Sequence, residues 1–70
     1  MNITFTDLGG PFKTTSAVND SGDLVATIRL QKLPGGNRWG VHSRLINGWR
    51  HFETIDEAKA EIIKLEEEAA

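Results

Sequence analysis

Between Leu24 and Phe52 the chain carries Arg29, Lys32, Arg38, Arg44 and Arg50 and no acidic residue, with Trp39, His42, Trp49 and His51 among them. Guanidinium groups present forked donors that match phosphates and base edges. Imidazoles donate or accept near neutral pH, and an indole offers a face for stacking. Together they suit an anionic ligand with aromatic rings, and nucleic acid is the common case. The flanks have the opposite sign: residues 1–23 carry −2, the segment 24–52 carries +5 and residues 53–70 carry −5, giving a net charge of −2. Net acidity argues against indiscriminate adhesion to polyanions and leaves a localised basic face.

Other chemistries find less support. With no cysteine there is no thiolate nucleophile, no disulfide and no Cys-based zinc pattern. His42, His51 and Glu53 fall on one expected face, but three ligands on an open sheet lack a second shell, so surface imidazoles are expected there and no metal. The serines and histidines form no nucleophile elbow, no phosphate-binding glycine loop occurs, and no carboxylate pair is enclosed. Gly9-Gly10 and Gly35-Gly36 read as turns. Seventy residues leave little room for a concave pocket, so neither catalysis, a cofactor nor a small-molecule substrate is expected. No apolar run is long enough to cross a membrane. The opening Met1-Asn2-Ile3-Thr4 lacks the basic flank and apolar block of a signal peptide, so the expected location is cytoplasmic.

A chain of this length makes one small domain, residues 1–70. Residues 1–23 are the least determined: Asn2 to Thr6 alternates as a short strand, Asp7 to Pro11 breaks it, and Phe12 to Val18 reads as a second edge strand. Asn19-Asp20-Ser21-Gly22-Asp23 is a turn cluster. Residues 24–54 read as a three-stranded meander. Leu24 to Leu33 alternates, Pro34-Gly35-Gly36-Asn37 turns, Arg38 to Ile46 alternates again, Asn47-Gly48 is the favoured type I′ pair, and Trp49 to Thr54 returns.

Those turns predict a register. A two-residue Asn47-Gly48 loop pairs Arg44 with His51 and Ser43 with Phe52, while a tight Gly35-Gly36 loop pairs Leu30 with Val41 and Arg29 with His42. Opposed residues share a face. Leu24, Ala26, Ile28, Leu30, Trp39, Val41, Leu45 and Phe52 then fall on one side. Thr54-Ile55-Asp56-Glu57 is a capping box opening a helix over 55–68, whose Ile55, Ala58, Ile62, Leu65 and Ala69 recur at helical spacing. Glu66-Glu67-Glu68 opposes the helix dipole, so fraying of the last turn is expected. The expected fold is α+β: an antiparallel meander, extendable by one or two N-terminal strands, on a single C-terminal helix.

One helix covers one face, so the other would present Val25, Thr27, Arg29, Gln31, Arg38, His42, Arg44, Ile46, Trp49, His51 and Glu53. Trp39-Gly40-Val41 in the middle strand and Phe52-Glu53-Thr54-Ile55-Asp56-Glu57-Ala58 at the strand-to-helix junction make residues 24–68 resemble the DNA-binding domain of plant ethylene-response factors. The N-terminal arm-binding domain of phage and transposon tyrosine integrases is similar. The resemblance implies an exposed sheet entering the major groove of duplex DNA, with Arg29, Arg44 and Trp49 in that role and Arg38 near the backbone. Gln31, His42 and His51 complete the expected contact surface. The alternative is a stand-alone protein-binding regulator, such as a small phage-encoded inhibitor of a host enzyme, suggested by chain length, net acidity and polarised charge.

Overall fold

A computed structural model describes residues 2–69. The elements are β1 (Thr4–Gly9), β2 (Thr14–Val18), β3 (Leu24–Leu33), β4 (Gly36–Ser43), β5 (Arg50–Phe52) and α1 (Ile55–Ala69). All five strands join one antiparallel sheet in the order β1-β2-β3-β4-β5, and α1 lies against β3, β4 and β5. The class is α+β as expected, but the sheet has five strands, not three. The reason is that β3 has an outer edge whose amides and carbonyls need partners. Residues of the leader supply them in the plane of the sheet, with Thr15 opposite Ile28, Ser16 opposite Thr27 and Ala17 opposite Ala26.

The turns follow their local chemistry. Asn19 accepts hydrogen bonds at its Oδ1 from the amides of Ser21 and Asp23, both at 3.0 Å, and this closes the β2–β3 turn. The β3–β4 hairpin turns on Pro34-Gly35 and pairs Leu33 with Gly36, so Ile28 faces Val41 and Leu30 faces Trp39. This is two residues away from the register drawn from Gly35-Gly36. Proline fixes φ at the first turn position, and Gly36 takes φ 121° just after it.

The β4–β5 connection differs more. Trp39 faces Phe52, Gly40 faces His51 and Val41 faces Arg50, a four-residue displacement from the expected pairing. A type I′ turn needs positive φ at both central positions. Gly48 has it, at 71°, whereas Asn47 does not. Ser43 also ends the ladder early: its Oγ accepts from the Leu45 amide at 3.1 Å and its carbonyl from the Ile46 amide at 3.2 Å. Residues 44–49 therefore form an open loop.

Ala17, Val25, Ala26, Ile28 and Val41 from the sheet meet Ala58 and Ile62 of α1 to make the core, with Ile3, Phe5, Trp39, Ile46, Phe52 and Ile55 packed around it. Leu24 and Leu45, expected inside, are exposed. Leu24 pairs with Val18 across an irregularity that leaves Val25 as the extra residue of β3. Such a bulge lets two successive side chains, Val25 and Ala26, turn inward. Thr54 caps α1 by accepting the Glu57 amide at its Oγ1, 3.2 Å away. The helix runs on to Ala69 because Glu66, far from fraying outward, is buried and held by Arg44. A guanidinium is then present near the C-terminal end of the helix, where the sequence of α1 itself has no cation in its last turn.

Candidate functional site

The face away from α1 is built from alternate positions of the three C-terminal strands. The ladder sets Thr27 opposite His42, then Arg29 opposite Gly40 opposite His51, then Gln31 opposite Arg38. Arg29, Gln31, Arg38, His42 and His51 are thus brought together on one uncovered surface, as expected from strand parity. Their neighbours differ from the expectation, because Arg29 faces a glycine and not His42. On the β1–β2 side the same face continues through Ser16 and Thr6, which are small and neutral. The leader does not fold over it. Phe5 lies on the helix side, where the Lys59 ammonium sits 5.4 Å from its ring centre.

Trp49 joins this surface from the open loop. A Cβ placed on Gly40 would come within 3.0 Å of Trp49 Cε3 and 2.9 Å of Gln31 Cδ, so both side chains lie directly over that glycine. The indole stands 5.2 Å from the His42 ring, tilted by 45°, and keeps 38% of its surface exposed. Gln31 Oε1 and His51 Nε2 form a hydrogen bond across the adjoining rows. Beside Arg29 and Gln31, a groove of about 570 Å³ runs between the Pro11-Phe12 loop and the Leu30–Leu33 end of β3. The loop is anchored there by the Leu30 amide donating to the Phe12 carbonyl at 2.7 Å.

Arg44 does not belong to this surface. Its Nη2 and Nε donate to the two carboxylate oxygens of Glu66 at 2.6 and 3.2 Å, on the helix side. The Glu66 hydrogen bond raises the Arg44 pKa; the charges of Glu66 and Asp23 add to this, and desolvation opposes it. The cause of the misplacement is the early end of β4 at Ser43, after which alternation no longer fixes a side. Ile46 is likewise packed against the core, and so is Val25 at the bulge. His42 faces Thr27 across the ladder, not Glu53, so the two imidazoles and that carboxylate are not set as a ligand trio. Among the described residues no group of three metal-ligating side chains converges.

The arginines of the basic segment therefore divide. Arg44 and Arg50 bond to Glu66 and Glu61 of α1, whereas no carboxylate among the described residues lies within 4.0 Å of Arg29 or Arg38. Sequence spacing could not reveal this division, since the partners are 22 and 11 residues away. Gly40 is the one sequence signal that bears on this surface. A glycine inside a strand marks a close approach by another group, here the indole. No helix among the described residues is long and apolar enough to cross a membrane. Comparison with known proteins gives no match: no family model, no curated protein and no solved structure is detectably similar to this chain.

Proposed function

We propose that the chain is a non-enzymatic binding module that contacts DNA through the uncovered face of its sheet. The observation that carries this reading is the division of the arginines. Guanidinium groups on the helix side are paired with carboxylates within the molecule. Those on the open side have no carboxylate partner among the described residues, Arg38 donating only to the Asn37 carbonyl, and stand beside His42, His51, Gln31 and Trp49. Net acidity does not oppose it. The carboxylates of α1 lie on the far side of a layer roughly 10 Å thick, about one Debye length at 0.1 M salt.

The test is a titration of fluorescently labelled DNA, single-stranded and duplex, over a salt series. Two phosphate contacts, by Arg29 and Arg38, predict a shallow slope of log K on log salt, about −1.4 to −1.8. Arg29→Ala with Arg38→Ala should flatten that slope while leaving the folded state intact. Absence of binding to either form at low salt refutes the reading.

A protein-binding regulator is the second reading, favoured by one observation: Leu8, Phe12 and Leu33 are large apolar side chains left exposed at 62, 56 and 38%. Recovery of a partner by pull-down, lost in Phe12→Ser but retained in Arg29→Ala, would select it.

A further inference from the structure

We infer that the ligand of the open face is single-stranded nucleic acid, with an unstacked base lying on Trp49 beside His42; this deepens the DNA-binding reading and rests on it. The resemblance in the sequence suggests a sheet seated in the major groove of a duplex. Two features of the structure favour a different ligand.

Aromatic geometry is the first. The Trp49 indole places Cε3 over Gly40, its ring lies 5.2 Å from that of His42 at a 45° tilt, and 38% of the residue stays exposed. In a duplex the faces of the bases are hidden in the stack and only their edges are offered, so a partly exposed indole held over the sheet has nothing to stack on. In a single strand each base exposes a π-face, and an aromatic platform in a basic setting is the recurring solution. The glycine makes the platform possible: any side chain at position 40 would lift the ring off the sheet.

Width is the second. The three C-terminal strands carry all the ligand-facing groups, but β2 and β1 continue the same sheet beyond β3. Five strands span about 19 Å at roughly 4.8 Å per interval, against a major groove about 12 Å wide. Seating Arg29 and Arg38 on base edges would drive the leader hairpin into a phosphate wall. A flexible strand has no such wall. It can cross the rows from Trp49 and His42, past Arg29 and His51, to Gln31 and Arg38. The arginines then take phosphates, and the atoms outside the Gln31–His51 hydrogen bond, the Gln31 amide nitrogen and His51 Nδ1, are left for base edges.

The test uses the full chain with Trp39→Phe, so that Trp49 is the sole indole. Single strands of about 12 nucleotides, as DNA and as RNA of one sequence, are compared with the duplex of that sequence. The expected result is quenching of Trp49 emission by the single strand and at least tenfold tighter binding than by the duplex. Trp49→Leu in the otherwise native chain should weaken single-strand binding roughly 5- to 150-fold, the range for one stacked base, without loss of the folded circular-dichroism signal. Anisotropy of a labelled strand with unsubstituted protein gives the same comparison if Trp39→Phe impairs folding. Preference for one of the two sugars supports the inference and names the polymer. Duplex binding as tight as single-strand binding, or single-strand binding with no change at Trp49, overturns the inference and leaves DNA binding standing. Failure of all probes at low salt overturns both.

Discussion

Replacing Gly40 by alanine is the sharpest perturbation available, because it adds one methyl group and removes no ligand-facing side chain. The added carbon would sit 2.9 Å from Gln31 Cδ and 3.0 Å from Gln31 Oε1 and Trp49 Cε3. Comfortable carbon contacts are about 3.5–4.0 Å, so both side chains must retreat by roughly 0.5–1 Å. Inserting a methylene against packed neighbours costs about 1–3 kcal/mol, and the low end applies because the obstructing groups are side chains on an open face. Removing a strand glycine returns about 0.5–1 kcal/mol through the unfolded chain. The net destabilisation should be about 0–0.5 kcal/mol, at most roughly 2–4 °C in Tm for a domain of this size. The larger consequence is local: Trp49 leaves its place beside His42, its emission shifts to the red, and nucleic-acid affinity falls with it. Gly35→Ala is the control, since its Cβ would meet nothing within 4 Å and its φ is not positive. Thermal denaturation, Trp49 emission and anisotropy binding on the two variants decide the matter. Should Gly40→Ala match Gly35→Ala in indole signal and in affinity, Trp49 does not rest on Gly40 as described and the platform is refuted.

Two further outcomes concern stability. Thr54→Ala removes the oxygen that accepts the Glu57 amide and should lower stability by about 1 kcal/mol, seen as an earlier thermal transition with helical signal lost first. Truncating Glu66 and Arg44 singly and together should show stronger coupling in urea denaturation than the same cycle on Glu61 and Arg50, because the Glu66 carboxylate is the more deeply buried of the two acids and its contact with Arg44 is bidentate. Equal coupling in the two cycles would show that the burial of Glu66 adds nothing.

Strand parity explains which sequence expectations survive. Both hairpin registers differ from those drawn from glycine pairs, by two residues in β3–β4 and by four in β4–β5. Side chains alternate with period two, so an even displacement changes every neighbour and no face. Arg29, Gln31, Arg38, His42 and His51 keep their side for that reason. The residues assigned to the wrong side lie where the ladder is interrupted: Leu24 and Val25 at the bulge with β2, Arg44, Leu45 and Ile46 in the loop after Ser43. Turn chemistry was legible in kind, because proline, asparagine and glycine do bend the chain where they cluster. It was not legible in length, since Ser43 closes β4 through its own hydroxyl and carbonyl before the Asn47-Gly48 pair is reached.

The charge pattern needed the third dimension more than the strands did. Along the sequence, five cations stand in a block with no acid and look equivalent. Folding brings α1 against only one face, and its Glu61 and Glu66 reach Arg50 and Arg44 there. A guanidinium already bonded to a carboxylate has part of its donors engaged and its charge offset, so it offers a phosphate less than an unpaired one. Arg29 and Arg38 project from the other face, where the sheet supplies hydroxyls, imidazoles and an amide but no carboxylate within ion-pairing distance among the described residues. The helix acids that make the whole chain acidic therefore define the basic site: they use up the cations on their own side and leave the unpaired ones grouped around Gly40 and Trp49.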